Sequence, residues 1–577
     1  MLNKEIALIF IRIADILEIK DDNPFRIRAY RKAAQQIESL SEDVSALRDK
    51  KKLEDIPGIG KDLSKKIEEY IRTRKINFYE KLKKQTPKGV LEFIEIPGVG
   101  PKTAKVLYKD LKIRNLEDLQ IRAKAGKIKN IPGLKEKTIN NILQGIDFLK
   151  QSRGRIPLHI AIGISSEIIS KLKKVKNIKR IEAAGSLRRS RETVRDIDIV
   201  ASSKNPKKIM AEFVKVPKAE DVVAHGLTKS SIRTHGNVQV DLRVVGDDSY
   251  GAALAYLTGS KAHNVRLREI AVRKGLKINE YGVYKVKGKA RASGMRIAGK
   301  NEKEIYESLN LSYVPPEMRE DRGEIEAAGK KTLPKLIEIT DIKADLHMHS
   351  EASDGILSLE EIAEISKKKG YEYIVITDHS KTLGVAGGLS KKDLFRQMKQ
   401  IDMINKKMKG LRILKGTEVE ILGDGRLDYS DAVLKELDFV IAAVHSGFKQ
   451  PENVLTERIM RAMENKNVSM IAHPTGRLMG VRDAYEINME KILKCARDAK
   501  TTLEINSYPD RLDLNDINTK AAKEAGVTIG IGTDSHTREQ FDNMAFGISV
   551  ARRGWLEKKD VLNTLNLEDF LRKIKKT

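Results

Sequence analysis

The sequence predicts a multidomain protein with an all-α N-terminal region, an α+β middle and a C-terminal distorted (β/α) barrel. Three observations carry that assignment. Apolar residues of the first 150 positions recur at helical spacing. A middle segment alternates with the period of a strand. After residue 340, apolar runs of strand length repeatedly end in His, Asp or Glu. A length of 577 residues agrees, since roughly three to five domains fit at about 100–200 residues each.

Composition narrows the class further. The single Cys, Cys495, permits no intrachain disulfide and no Cys-based zinc knuckle, which points to an intracellular protein. The opening Met1-Leu2-Asn3-Lys4-Glu5 lacks the basic-then-apolar order of a signal peptide. No apolar run nears the ~20 residues of a membrane helix, so the expectation is a cytoplasmic protein with no membrane role. Lys and Arg outnumber Asp and Glu by 71 to 44 over residues 1–340, but only by 38 to 37 thereafter. A basic excess confined to one part favours a polyanionic partner, because neutralised phosphates release counterions.

In the helical region, Ile6, Ile9, Phe10, Ile13 and Leu17 mark one buried helix face. The segments Ile56-Pro57-Gly58-Ile59-Gly60-Lys61, Ile96-Pro97-Gly98-Val99-Gly100-Pro101 and, in reduced form, Ile131-Pro132-Gly133-Leu134-Lys135 repeat between helical stretches. Their glycines allow tight turns and close approach of a phosphate to the amides that open the next helix. The pattern resembles the helix-hairpin-helix motif, with Gly58, Gly60 and Lys61 of the first copy and Gly98, Gly100 and Lys102 of the second as expected DNA-backbone contacts.

Past the basic connector Gln151-Ser152-Arg153-Gly154-Arg155, a small-residue turn, Gly185-Ser186-Leu187-Arg188-Arg189, leads into Arg195-Asp196-Ile197-Asp198-Ile199-Val200. Residues two apart on a strand share a face at roughly 6.5–7 Å, so Asp196 and Asp198 converge. Val238-Gln239-Val240-Asp241-Leu242-Arg243 can bring a third carboxylate alongside. Three acids suit two hard cations, expected to be Mg2+ or Mn2+, which can orient a triphosphate and activate a 3′-hydroxyl. Gly185, Ser186 and Arg189 supply phosphate donors.

Residues 1 to about 320 resemble a family X DNA polymerase, from a lyase-like helical domain through palm to thumb. Tyr256-Leu257-Thr258-Gly259-Ser260, followed by Asn264 and Arg268, is similar to the family segment that checks the nascent base pair. The resemblance implies nucleotide contacts at Tyr256, Gly259, Ser260, Asn264 and Arg268. Leu257 departs from the family's aromatic residue, where the backbone helps exclude the ribose 2′-hydroxyl. The resemblance also places Lys66 at the lysine that removes a 5′-deoxyribose phosphate through a Schiff base. Tyr30 matches that pocket, and Arg26 replaces a lysine in it.

In the last third, Asp345-Leu346-His347-Met348-His349-Ser350 puts two imidazoles on one side of an extended segment, and His379, Glu418, His445, His473, Asp534 and His536 each close a strand-like run. In a (β/α) barrel the active site lies at those strand ends. All six His after residue 340 occupy them. The constellation resembles the PHP domain, which implies nine ligands, His347, His349, Asp354, His379, Glu418, His445, His473, Asp534 and His536, around a trinuclear Mn2+, Zn2+ or Fe cluster. Glu420 is an alternative to Glu418, and Asp378 is expected to support its neighbour from outside.

The boundaries expected are 1–80 for the lyase-like domain, 81–153 for a fingers-like helical domain, 154–245 for the palm and 246–320 for the thumb. A linker over 321–340 and a PHP domain over 341–577 complete them. Together these imply a monomeric, nucleoid-associated repair polymerase. It would act on gapped or nicked DNA with deoxynucleoside triphosphates and carry 3′-5′ exonuclease activity, with 3′-phosphatase or abasic-site endonuclease activity as further options for the same cluster. A histidinol-phosphatase-like enzyme fused to a DNA-binding module and a non-catalytic repair scaffold are the alternatives.

Overall fold

The computed structural model describes residues 2–38, 44–49, 52–56, 58–94, 96, 99–125, 127–128, 139, 142–143, 146, 155–234, 237–286 and 294–575. They form two compact units, Met1–Arg153 and Gly154–Thr577.

The first unit is helical. Ile6, Phe10, Ile13 and Leu17 of the helix Leu2–Ile19 are buried against Tyr30, Ala33 and Ile67, whereas Ile9 lies at the edge. A second core gathers Ile19, Val90, Phe93, Leu107 and Leu119. Two hairpin copies fold alike. Ile59 and Val99 donate their amides to the Ile56 and Ile96 carbonyls, each at 2.9 Å, and Gly60 and Gly100 cap the helices Lys61–Thr73 and Pro101–Lys105. Gly58 needs its freedom, with φ of +86°. Pro57, Pro97, Gly98 and the reduced copy at 131–135 lie outside the described residues.

In the second unit, strands Arg180–Ala183, Asp196–Ser202, Gln239–Val245, Lys229–Thr234 and Ala219–His225 lie in that spatial order as one mixed sheet. Asp196–Ser202 and Gln239–Val245 pair in parallel at its centre, covered by the helices Leu158–Leu172 and Pro206–Phe213. A three-stranded antiparallel sheet, Leu276–Asn279, Gly282–Val286 and Gly294–Ala298, follows with the helices Tyr250–Thr258 and Lys261–Arg273.

The stretch 321–340, expected to be a linker, is instead packed. Ile325 and Ala328 of the helix Glu324–Lys330, with Leu336, join the core of the preceding domain, and Trp555 packs against them. Three apolar side chains spaced among charges suffice to dock a short segment on an existing core.

Seven parallel strands, Ala344–Asp345, Tyr373–Ile376, Arg412–Glu420, Phe439–Ala443, Met470–Ile471, Thr502–Asn506 and Ile529–Gly532, then follow one another in space as in sequence. His349 donates its amide to the Ser535 carbonyl at 2.9 Å and Asp534 to that of His347 at 2.8 Å, nearly closing the barrel. Side-chain alternation sorts the strands into two cores. Tyr373, Val375, Leu414, Phe439 and Ile441 point inward onto Phe570 of the helix Leu567–Ile574, while Ile374, Ile376, Ile413 and Val440 face the surrounding helices. Phe546, on the helix Met544–Arg553, packs into both the outer barrel core and the core of the mixed sheet.

Candidate functional sites

Parallel register makes Asp198 and Asp241 direct neighbours, with Asp196 two residues upstream on the same face. Burial first, then the Asp196 and Asp241 carboxylates, push Asp198 up to about 7. Asp241 is held low despite its own burial, because Gln239 Nε2 donates to it at 2.9 Å and Lys229 Nζ lies 3.1 Å away. Three carboxylates crowded on one face, one of them resisting ionisation, are suited to cations. Gly185 sits at φ +63°, and a Cβ there would lie 2.3 Å from Asp198 Oδ2. The turn therefore touches the acid itself.

Arg188 and Arg189 diverge. Arg188 makes two bonds of 2.8 Å to Glu302. Arg189 Nε donates to Glu320 at 3.0 Å and its Nη1 to the Thr258 carbonyl, tying the turn to Tyr256-Leu257-Thr258-Gly259-Ser260. Two of the donors expected to meet a triphosphate are thus engaged within the chain. Ser260 Oγ accepts from the His263 amide and caps the helix Lys261–Arg273. Asn264 donates to the Tyr256 carbonyl at 2.8 Å, and Arg268 to that of Asn264. Tyr256 is 41% exposed, whereas Leu257 packs on Ala184, Val200 and Leu254.

At the barrel mouth the nine matched residues converge. Glu418 is their hub. Its Oε2 lies 3.0 Å from His379 Nδ1, 3.5 Å from His347 Nε2 and 3.6 Å from His349 Nε2, while Oε1 lies 3.0 Å from His473 Nε2 and 3.3 Å from His445 Nε2. Asp534 Oδ1 is 3.3 Å from His349 Nε2, and Asp354 spans His379 at 3.5 Å and His536 at 3.3 Å. His473 and Asp534 leave the strand pleat with φ of +28° and +52°, strained conformations of the kind that cluster at active sites. Burial and the neighbouring imidazoles His536 and His379 hold His349 down to about 4. Burial opposes protonation of His379 too, but Glu418 and Asp354 outweigh it and raise that residue to about 10.

A ring of outer partners orients these ligands. Glu504 accepts from His347 Nδ1 and from the His473 amide, both at 2.7 Å. Glu420 accepts from His445 Nδ1 at 2.8 Å and from Ser446, so it serves the outer ring and not the hub. Asp378 accepts from the Ser350 amide at 2.8 Å and from Ser353 Oγ at 2.5 Å, and so braces the turn after His349, not its neighbour His379 as expected. Glu504 escaped the sequence reading. The inward alternation of Thr502, Glu504 and Asn506, opposite the outward Leu503 and Ile505, was the available signal.

In the first unit, Lys66 Nζ lies 2.5 Å from Asp62 and 5.5 Å from the Phe78 ring centroid. Tyr30 stacks on that ring and Arg26 covers it at 4.8 Å. Lys61 and Lys102 are exposed at the starts of the two hairpin helices.

Four family models match: a helix-hairpin-helix domain over residues 1–76, a SAM-like helix-hairpin-helix tandem over 90–147, the DNA polymerase beta thumb over 253–320 and the PHP domain over 345–508. The DNA polymerase/3′-5′ exonuclease PolX of Bacillus subtilis (strain 168) is 40% identical over 571 residues, 99% of this chain and 98% of that protein. The chain belongs to the PolX family. A probable phosphatase of Thermoanaerobacter sp. (strain X514) is 32% identical over 231 residues, 38% of this chain and 89% of its own length. One from Caldicellulosiruptor saccharolyticus is 30% identical over 204 residues, 34% and 80% respectively. A PolX chain with this PHP domain implies divalent metals, and the residues fit them. His347 Nε2 and His349 Nε2 face each other at 3.1 Å among buried carboxylates, and the buried Nδ1 atoms of His349 and His473 have no hydrogen-bond partner among the described residues. Three sets of ligand atoms, His347/His349/Asp534, His349/Asp354/His379/His536 and His379/Glu418/His445, are each compact enough for one ion. Among the described residues, no helix is long and apolar enough to cross a membrane.

Proposed function

We propose that this PolX enzyme fills gaps in DNA, joining deoxynucleotides at Asp196, Asp198 and Asp241 and removing 3′ ends at the barrel mouth. The observation that carries the reading is the presence, within the unit Gly154–Thr577, of both the paired Asp198 and Asp241 and the Glu418-centred ligand set. Bound divalent cations, two Mg2+ or Mn2+ in the palm and three Mn2+, Zn2+ or Fe ions in the barrel, would supply Lewis acidity and offset charge developing on phosphate oxygens.

The chain's own groups do the rest. Gly185 clears space beside Asp198, and Ser186 and the remaining donors of Arg189 bind triphosphate. Tyr256, Gly259, Ser260, Asn264 and Arg268 border the new base pair. Glu504 and Glu420 hold His347 and His445 by their Nδ1 protons, so each ring presents Nε2 to the centre. The glycines of the hairpins with Lys61 and Lys102 grip the DNA backbone. Lys66 forms the Schiff base in removing a 5′-deoxyribose phosphate. The enzyme works as a cytoplasmic, nucleoid-associated monomer.

A gapped-duplex assay with and without nucleotides tests the reading. Asp198→Ala abolishes extension and keeps end degradation, and His349→Ala does the reverse; retained degradation in His349→Ala refutes the barrel assignment. The likeness of the barrel to probable phosphatases favours a second activity on 3′-phosphates. Release of phosphate from a 3′-phosphorylated oligonucleotide, compared with a free phosphate ester, decides whether DNA or a small molecule is preferred.

A further inference from the structure

We propose that Arg553, a residue of the barrel, is a positioning residue for nucleotide addition in the palm, holding Arg189 in place through Glu320. The proposal rests on the reading of Arg189 as a triphosphate contact.

Arg553 ends the helix Met544–Arg553 and is only 4% exposed. Its Nη1 donates to Glu320 Oε1 at 3.0 Å and to the Arg189 carbonyl at 2.7 Å. The same Glu320 oxygen receives Arg189 Nε at 3.0 Å. One barrel guanidinium therefore fixes both the backbone of Arg189 and the carboxylate that orients its side chain. Arg553 is itself anchored, since its Nη2 donates to Asp516 at 2.5 Å, and Asp516 also takes Arg322 Nη1 at 3.0 Å. The charges alternate along the series Arg189, Glu320, Arg553, Asp516, Arg322, so the three inner members each lie between two opposite charges.

The anchoring residues sit on helices that follow barrel strands in sequence. Asp516 opens a helix that follows the strand bearing Glu504, and the helix of Arg553 follows the turn bearing Asp534 and His536. A long side chain held in one rotamer before its ligand arrives binds that ligand more tightly, because the ordering has already been done. Freed of Arg553, Arg189 must be ordered by the nucleotide instead. The palm then grips a triphosphate well only while the barrel is docked against it.

The test is single-nucleotide insertion by the full chain on a one-nucleotide gapped duplex, with dTTP and Mg2+. Arg553→Ala raises KM for dTTP about tenfold, the size of effect a single link in a coupled network carries, and leaves kcat within about twofold. Degradation of the same DNA in Mn2+ is unchanged. Arg553→Lys, which keeps the charge but cannot grip Glu320 and Asp516 together, falls between, and Glu320→Gln reproduces the rise if Arg553→Ala does not fold. Placed on an Arg189→Ala background, Arg553→Ala adds nothing. An unchanged KM in both Arg553→Ala and Glu320→Gln overturns the proposal. So does an equal loss of insertion and degradation, or a further rise on the Arg189→Ala background. If Arg189→Ala alone leaves KM unchanged, the underlying assignment of Arg189 fails and this inference goes with it.

Discussion

The palm acids and the barrel ligands gather metal-binding side chains by opposite means. In the palm, two neighbouring parallel strands supply three carboxylates, and one of them, Asp198, is held by its surroundings near the edge of ionisation. In the barrel, six of the seven strands and the loop bearing Asp354 bring six imidazoles and three carboxylates to one mouth, with Glu504, Glu420 and Asp378 bracing ligands or their turns from behind. The first arrangement suits cations that arrive with a triphosphate and leave with pyrophosphate. The second suits cations that stay, because its ligands are oriented before any ion enters.

The contrast can be broken most severely at Gly185. A side chain there displaces Asp198, so Gly185→Ala should cut primer extension on the order of 100-fold while 3′-end degradation holds, as parallel rate measurements would show. If extension survives, the close approach of turn and acid is not needed. Next, Glu504→Gln should weaken metal retention by about 30-fold, read as metal per chain after dialysis, with extension preserved. In the palm, Gln239 and Lys229 brace Asp241, so an equal loss of metal from the palm on substituting Gln239 would erase the distinction.

A smaller effect separates the two by stability. Since Asp198 titrates near 7 when folded and near 3.8 when unfolded, its ionised form opposes folding fully above pH 7, and the opposition fades as pH falls towards 3.8. Asp198→Asn should therefore raise the stability of metal-free protein at pH 8 by on the order of 4 kcal/mol. The gain should be smaller at pH 5, as urea titration in EDTA would show. The smallest effect lies outside both centres. His263 is lowered by burial although Glu324 accepts its Nδ1 proton at 2.6 Å. Glu324 is lowered by that bond in spite of its own burial. His263 contributes stability above 6.5 and Glu324 above 4.5, and each contribution is lost as pH falls through the folded value. A shallow acid-side decline in the urea midpoint should flatten in His263→Gln.

Much of this was legible because its signals are local. The two-residue period of Asp196 and Asp198 and the strand-end placement of every C-terminal His follow from chain geometry alone. Asp241 could be assigned to its partner strand because its own segment alternates. The outer ring was harder to see. Glu420 and Glu504 look like any acids on strands until inward and outward faces are known. The joining of Glu320 to Arg553 spans 233 residues and carries no sequence signature at either end. The packing of 321–340 was hidden for another reason: Ile325, Ala328 and Leu336 become a docking face only when a core already exists to receive them.

Phe546 gives the second unit a particular thermal character. Because this one half-buried ring packs against two cores, melting of either uncovers part of the other, and heat should dissolve palm and barrel together in a single calorimetric peak. An excised barrel would expose the side of that phenyl ring that meets the mixed sheet, so truncation is a poor way to isolate either activity, and point substitutions that leave the shared helix intact are the better tool.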